Sequence, residues 1–340
     1  MKIRASSKRQ LHQIWCQETM RWSIASTPNS LWFYTLQQGI FHMLHIQKTK
    51  DACIRLGDVF FSGALLDWCY QFKADDFGYV LKLWNILGIE NAQLYYAQNI
   101  SHHQHIDREH LLYFRHIIEF MRDCSWYNLA IQMGEVVIKK HEDILGSQHI
   151  HTAEIQMKHA LSLKRVLRFE EAIPLAEDAL VIFQKQLSTD DPNLYVQYNS
   201  MASLYAGNDQ YPLAEKFFQL AIQERTRLLG VQHPKTLIST ASYAFLLFKM
   251  KRYSQALPLQ KEVYEARSIL LGDNHPKRLL AAYNYADNLC IHAKYQEAHL
   301  IIEDCYVRRI QVLGASHRLT IKAHTLLQHC IKKRQSLSLL

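Results

Sequence analysis

The sequence predicts an all-α protein, a solenoid of stacked helix pairs, and three observations support this fold class. A short motif, Leu-Gly-x-x-His, recurs at a period of 42 residues or at twice that period. Between its copies, apolar residues recur at helical spacing and are interrupted once per period. The 340 residues include only 11 Gly and 7 Pro, and no alternating runs rich in Val or Thr occur, which disfavours a sheet. A fixed period of this size is typical of repeat architectures.

The Leu-Gly-x-x-His motif marks the end of each predicted repeat. Its copies are Leu145–His149, Leu229–His233, Leu271–His275 and Leu313–His317. The copy expected at position 191 lacks the glycine and keeps only the leucine, Leu187, and a turn-forming aspartate, Asp191. In the intact copies we expect a glycine that takes the left-handed conformation after a helix, a histidine N-cap, and a proline in the first turn of the next helix. These are Gly230 and Gly272, His233 and His275, and Pro234 and Pro276.

Each period also contains a frame of small and aromatic residues. The frame alanines are Ala160, Ala202, Ala244 and Ala286, followed nine residues later by Phe169, Tyr211, Tyr253 and Tyr295, and twelve later by Ala172, Ala214, Ala256 and Ala298. Tyr127 and Ala130 fit the same frame one period earlier, which makes five units. Small residues let two helices approach closely, so each unit is predicted to be a helix pair with the aromatic at its turn.

One more helix is predicted after the last repeat, from Arg318 to about Arg334, with an apolar face of Ile321, Leu326, Leu327 and Ile331. A solenoid needs a terminal element of this kind as a cap. We therefore predict three regions: an N-terminal helical domain over residues 1–106, five repeats over 107–317, and a capping helix with a basic tail over 318–340.

The segment LYAGNDQYPLAEKFFQLAIQERTRLLG at residues 204–230, with the VQHPKT that follows, resembles tetratricopeptide repeats of the 42-residue kinesin-light-chain type. The resemblance covers residues 108 to 335 in five in-frame copies. It implies a right-handed α-solenoid that acts as a non-catalytic scaffold or adaptor. In that fold the first helix of each pair lines a concave groove, which would bind a peptide or a segment of another protein.

The resemblance also implies which side chains face the groove, at fixed distances before and after each frame alanine. Carried onto this chain, the set is Lys164, Arg165, Asn199, Phe245, Phe248, Lys249, Tyr283 and Asp287, with Asn284 matching an asparagine that clamps the peptide backbone. Phenylalanine and cationic side chains at these positions suit a peptide with an apolar anchor and acidic flanks. The alternative for Phe245 and Phe248 is core packing, because aromatic residues at helical spacing are usually buried.

The first hundred residues lie outside the 42-residue frame but contain apolar stripes at helical spacing. The segment that begins at Tyr34 resembles the helical spacer of STAND signalling ATPases. This suggests an alternative function, a sensor or regulatory fragment of a multidomain signalling protein. No G-x-x-x-x-G-K-[ST] loop occurs, so nucleotide binding is not implied.

Catalytic and metal sites are not predicted. The chain has neither G-x-S-x-G nor H-E-x-x-H, so we expect no enzymatic activity and no cofactor. The histidines at positions 102, 103, 105 and 110 are close in sequence, but no cysteine is nearer than Cys124. Zinc sites usually combine such ligands at regular spacing, so we interpret these histidines, and those of the motif, as turn or capping residues.

Composition and charge restrict the partner class. With 39 basic and 31 acidic residues the net charge is +8, which favours acidic partners. RNA binding is disfavoured, because no polar code recurs at corresponding positions of the first helices. The 7 cysteines form no C-x-x-C pair and are expected to be reduced core thiols. No apolar run approaches the roughly 18 residues that span a bilayer, so a cytoplasmic protein is expected.

Overall fold

The structure, a computed structural model, describes residues 111–337, which form eleven α-helices and no strand. We number them α1 (Leu111–Asp123), α2 (Tyr127–Leu145), α3 (Ile150–Arg165), α4 (Phe169–Gln186), α5 (Leu194–Gly207), α6 (Tyr211–Leu229), α7 (Pro234–Lys249), α8 (Tyr253–Leu270), α9 (Pro276–Ile291), α10 (Tyr295–Leu313) and α11 (Arg318–Leu337). The prediction of five helix pairs and a terminal helix is confirmed for these residues. The second helix of every pair begins at the frame aromatic, as the sequence predicts.

The described residues divide into two compact units, with the boundary between Phe183 and Gln184. In the described part of the first unit, α1, α2 and α3 pack on one another. In the second unit each helix from α5 to α11 packs on the next along the chain. This consecutive packing of antiparallel neighbours is the arrangement expected of a helical-repeat solenoid.

The frame alanines are packing residues, as predicted. All eight alanines of the two frame positions, and Ala130 one period earlier, expose at most 1% of their surface. In the last pair, Ala286 of α9 and Ala298 of α10 lie in the same hydrophobic core. Their small side chains allow the close approach that brings the larger apolar residues of both helices into contact.

The motif histidines are N-caps, as predicted. Nδ1 of His149, His233, His275 and His317 accepts a hydrogen bond from the backbone N–H two residues later, at 3.2, 3.1, 3.0 and 3.2 Å. Pro234 and Pro276 are the first residues of α7 and α9, where no hydrogen bond from their nitrogen is required. Each cap satisfies one of the N–H groups that a helix leaves without a partner at its start.

The prediction for the motif glycines is wrong in part. Gly230 has φ +91° and ψ 158°, a region accessible only to glycine, but this is not the left-handed helical conformation. Gly272 has no positive φ. The reason is that α8 ends one residue earlier in its period than α6 and α10, so Leu271 caps it in an extended conformation.

Left-handed backbone occurs instead at the turn inside each helix pair. Ser125, Leu167, Asp209, Lys251 and Ala293 have φ between 55° and 64°, and they are spaced 42 residues apart. None is a glycine, although this conformation is strained for residues with a Cβ atom. The fold therefore imposes the same tight turn on five different side chains, two residues before each frame aromatic.

The capping helix α11 buries Ala323, Leu326, Leu327 and Cys330 against α9 and α10, and Ile331 packs at the edge of this core. The expectation that Ile321 belongs to the buried face is wrong, because its surface is 52% exposed. From Ala323 to Leu326 or Leu327, and from these to Cys330, the spacing is three or four positions, whereas Ile321 precedes Leu326 by five. Five residues correspond to well over one helical turn, so Ile321 lies on a different face.

Several predictions fall on residues outside the described range. These are the N-terminal domain over residues 1–106, the segment resembling a STAND spacer, the histidines at 102, 103, 105 and 110, and three of the cysteines. Within residues 111–337, no helix is both long and apolar enough to cross a membrane.

Candidate binding surface

The first helices of the repeats form a closely packed layer in the second unit. Within residues 194–337, α5 contacts α7, α7 contacts α9 and α9 contacts α11, whereas no contact joins successive second helices, α6, α8 and α10. The first helices are therefore the more closely spaced layer of the stack. Side chains three or four residues apart share one face of a helix. On this basis Asn199 of α5, Phe245 and Phe248 of α7, and Tyr283 and Asp287 of α9 belong to corresponding faces.

The two phenylalanines of α7 differ in environment. Phe245 is 59% exposed, although it lies among the most apolar positions of the helix. Phe248 is half-buried, and its ring packs edge-on against Tyr253 with the ring centroids 5.1 Å apart. Phe248 thus stabilises the turn between α7 and α8, whereas Phe245 offers its ring to solvent.

Lys249 is engaged within the second unit. Its Nζ lies 2.8 Å from Oδ1 of Asp209 and 5.2 Å from the centre of the Tyr211 ring. The hydrogen bond to Asp209 raises the pKa of Lys249 and lowers that of Asp209. Much of the charge of Lys249 is therefore balanced by the preceding repeat.

Two asparagines of the predicted set have hydrogen-bonding capacity that other described residues do not use. Oδ1 of Asn199 is shielded from solvent and has no hydrogen-bond partner. The half-buried side chain of Asn284 also makes no hydrogen bond within residues 111–337. The amide of Asn284 supplies both a donor and an acceptor, which matches the N–H and C=O groups of an extended peptide.

A cavity of about 510 Å³ lies between α9 and α11, and two residues of the predicted set line it, Tyr283 and Asp287. Burial raises the pKa of Asp287, opposed by the nearby His329. No ion pair involving Asp287 forms within the described residues. A half-buried carboxylate without a partner is unfavourable in the free protein, and a cationic or hydrogen-bonding group in the cavity would relieve this.

Sequence reasoning missed the contribution of α11 to this cavity. The capping helix supplies five lining residues, Ile321, Lys322, Thr325, Leu326 and His329, and α9 adds Cys290 and Ile291. Ile291 and Ile321 are both exposed, so the cavity has an apolar rim. The sequence feature that could have indicated this contribution is the apolar Ile321, which lies outside the buried stripe of the capping helix.

A row of buried arginines was also missed. Arg225, Arg267 and Arg309 are spaced 42 residues apart in the second helices, and each exposes at most 8% of its surface. Their NH1 groups donate to the carbonyl oxygens of Lys235, Lys277 and Leu319, at 2.8, 3.2 and 2.7 Å. Each acceptor lies two residues after a capping histidine. The arginines therefore join each second helix to the start of the next first helix, and burial lowers the pKa of Arg225 to about 10.

The remaining two residues of the predicted set lie in the first unit. Lys164 and Arg165 are in the last turn of α3, where a cation interacts favourably with the helix dipole. Arg165 is exposed and Lys164 is half-buried. Among residues 111–337, no group of three or more His, Cys, Asp or Glu side chains is arranged to hold a metal ion.

A tetratricopeptide-repeat family model matches residues 193–268 and 237–311, about a third of the chain. These residues, which include most of the surface described above, are tetratricopeptide repeats. The class is therefore that of helical-repeat proteins with tetratricopeptide units, as the sequence predicts. A search of curated proteins by sequence finds no match.

Two solved structures share the fold. The Q17M variant of nearly identical TPR-like repeats of the kinesin-light-chain type from Podosopora anserina is 20% identical, with a TM-score of 0.51, and the match covers 61% of this chain and 99% of that one. The apo form of the quorum sensor NprR from B. thuringiensis is 14% identical, with a TM-score of 0.53, over 85% of this chain and 82% of that one. At these identities the likeness concerns the fold alone.

Proposed function

We propose that the first-helix layer of the second unit binds an extended segment of a partner protein, and that the chain is a non-catalytic adaptor. The observation that carries this proposal is the exposure of Phe245, 59%, on a helix whose neighbours α5 and α9 present Asn199 and Asn284. An exposed aromatic ring leaves apolar surface in contact with water, and the two amides have hydrogen-bonding capacity that the described residues do not use. The same groups supply an apolar contact and backbone hydrogen bonds to a peptide.

The partner segment is expected to combine an apolar anchor with polar flanks. Phe245 and the apolar rim of the α9–α11 cavity are each suited to contact a large apolar side chain. The acidic flanks expected from Lys164, Arg165 and Lys249 remain a prediction, and Lys249 already contacts Asp209. Asp287 favours a cationic or hydrogen-bonding group near the capping helix.

The test begins with affinity capture using the full chain, followed by peptide arrays of the captured proteins to define the bound segment. Affinity for a labelled peptide is then measured for Phe245→Ala and Asn284→Ala. Each should weaken binding by roughly 1–3 kcal/mol, or about 5- to 150-fold. We expect the wild-type chain to bind the peptide with a Kd on the order of 1 μM, about 8 kcal/mol of binding free energy.

A matched control distinguishes binding by the first-helix layer from binding by any exposed apolar side chain. Leu300 of α10 is 61% exposed, close to the value for Phe245, but it belongs to a second helix. Leu300→Ala should leave the affinity unchanged. If Leu300→Ala abolished binding while Phe245→Ala and Asn284→Ala bound normally, recognition would have to be assigned to the second helices.

A further inference from the structure

Two cysteines of the second unit lie in direct contact. Sγ of Cys290 in α9 is 2.9 Å from Sγ of Cys330 in α11, and both side chains are free thiols. Both residues are buried in the core shared by α9, α10 and α11. They are 40 residues apart in sequence, so their contact joins the last repeat to the capping helix.

Burial in this core does not by itself bring two thiols into contact, as Cys305 shows. It lies in α10 in the same core, but its thiol donates to the carbonyl oxygen of Leu279 at 3.3 Å. Burial raises the pKa of Cys305 to about 11, so this thiol stays protonated. In the Cys290–Cys330 pair, a hydrogen bond from one thiol stabilises the thiolate of the other. This lowers the pKa of Cys330 and, with burial, raises that of Cys290.

The pair is also accessible to a small molecule. Cys290 is one of the residues that line the 510 Å³ cavity between α9 and α11. The cavity is far larger than the roughly 30 Å³ that a water molecule occupies in the liquid, so a hydroperoxide can enter it. Cys290 is therefore the member of the pair that a small oxidant in the cavity would meet, and Cys330 lies in contact with it behind the cavity wall.

We propose that Cys290 and Cys330 are a redox-modification site at which a hydroperoxide forms a reversible disulfide between the last repeat and the capping helix. A disulfide requires a sulfur–sulfur distance of about 2.05 Å, so the two atoms need to approach by only about 0.85 Å from 2.9 Å. This proposal does not depend on the function assigned to the first-helix layer.

The chemistry balances with hydrogen peroxide, the simplest hydroperoxide, as the oxidant. One sulfur, as the thiolate, attacks a peroxide oxygen, which breaks the O–O bond and gives a sulfenic acid and hydroxide. The proton released by that thiol converts the hydroxide to water. The second sulfur displaces hydroxide from the sulfenic acid, and its proton completes the second water. Two electrons pass from the thiols to the peroxide, and a low-molecular-mass thiol reverses the reaction.

The disulfide is expected to prevent the capping helix α11 from unfolding independently of the last repeat. A terminal helix of a repeat stack contacts neighbours on one side only and opens more readily than inner helices. The disulfide would close a loop that includes all of α10 and would restrict the unfolded chain accordingly. Oxidation should therefore slow amide hydrogen exchange in α11 and raise the thermal midpoint by roughly 5–10 °C.

The experiment uses the full chain, reduced and then treated with hydrogen peroxide at about one equivalent. Remaining thiols are blocked with N-ethylmaleimide, and cross-linked peptides are mapped by mass spectrometry. We expect a Cys290–Cys330 cross-link with the loss of two hydrogens, removed again by dithiothreitol. Cys330→Ala should abolish both the cross-link and the rise in thermal midpoint, whereas the control Cys305→Ala should retain them.

The mapping of the wild-type chain decides the proposal even if Cys330→Ala folds poorly. Recovery of Cys290 and Cys330 as blocked thiols, or as disulfides to other cysteines, would overturn it. So would an equal rise in thermal midpoint for wild type and Cys330→Ala.

Discussion

The buried arginines that join successive repeats can be tested at Arg225. This side chain is 2% exposed, and its NH1 donates to the carbonyl oxygen of Lys235 at 2.8 Å and to Oγ of Ser239 at 2.5 Å. No carboxylate pairs with it within the second unit. Arg225→Ala therefore removes hydrogen bonds between α6 and α7 without removing an ion pair.

The expected decrease in the free energy of unfolding has two destabilising contributions and one effect that partly offsets them. Deleting the two buried methylenes beyond Cβ costs about 1.6 kcal/mol, at roughly 0.8 kcal/mol for each methylene. Leaving the Lys235 carbonyl without its charged donor costs about 1–3 kcal/mol more. Relief from burying an unpaired guanidinium offsets part of this sum. We expect Arg225→Ala to lower the free energy of unfolding by about 2–3 kcal/mol, and Arg225→Met, which keeps the stem packing, by about 1 kcal/mol.

Urea and thermal denaturation followed by circular dichroism measure this effect. A loss of 2–3 kcal/mol should lower the thermal midpoint by roughly 4–12 °C for a unit of this size. The matched control is Arg227→Ala on the same helix, since Arg227 is exposed and pairs with Asp190 and Glu224, both at 2.8 Å. Exposed ion pairs contribute little to stability because solvent screens them. If Arg225→Ala were no more destabilising than Arg227→Ala, the bridging role of the buried arginines would be refuted.

Three further predictions concern packing, backbone strain and pH. Ala256→Leu should lower the free energy of unfolding by about 1–3 kcal/mol through overpacking, because Ala256 is fully buried. The thermal midpoint should fall accordingly, and an unchanged midpoint would contradict the helix pairing. Ala293→Gly should stabilise the fold by about 0.5–1 kcal/mol in urea denaturation, because φ is 56° at this position, whereas Lys261→Gly in a helix interior should cost about 1 kcal/mol. Burial raises the pKa of Asp287, so the folded state binds its proton more tightly and the free energy of unfolding falls as pH rises through the interval between the unfolded and folded pKa values. Asp287→Asn should remove this dependence in denaturation from about pH 3 to pH 7 and increase stability at neutral pH, and an unaltered pH profile would exclude an effect of this carboxyl group.

The features that sequence reasoning predicted correctly depend on local rules. A small residue repeated at a fixed helical position indicates close helix contact, which holds for Ala214 and Ala256. A histidine just before a helix can accept from the N–H groups of its first turn, which holds for His233 and His275. These rules involve a few neighbouring residues, so a single sequence contains the required information.

The features that were missed depend on tertiary context. An arginine is usually interpreted as solvent-exposed, and only the 42-residue spacing of Arg225, Arg267 and Arg309 could have indicated a buried role. The left-handed turn is imposed by the fold on residues as different as Leu167 and Lys251, so residue type carries no signal for it.

Tertiary context also limited what could be predicted about the candidate surface. The frame placed Phe245 and Phe248 on one helix, but their exposure is set by a neighbour, Tyr253, that packs on only one of them. Likewise, the contribution of α11 to the cavity follows from how the capping helix packs on α9, which no local pattern encodes.

Arg309 connects this packing to the candidate surface, and it determines how binding data must be interpreted. Its NH1 and NH2 groups donate to the carbonyl oxygens of Leu319 and Leu279, at 2.7 and 3.2 Å, and its guanidinium lies 5.1 Å from the centre of the Tyr283 ring. Tyr283→Ala would therefore disturb a contact of the arginine that joins α9, α10 and α11, as well as any contact with a peptide. Asn284, the next residue, makes no such contact within the described chain. Weaker binding by Asn284→Ala at an unchanged thermal midpoint thus reports recognition directly, whereas weaker binding by Tyr283→Ala with a lowered midpoint reports the loss of its contact with Arg309.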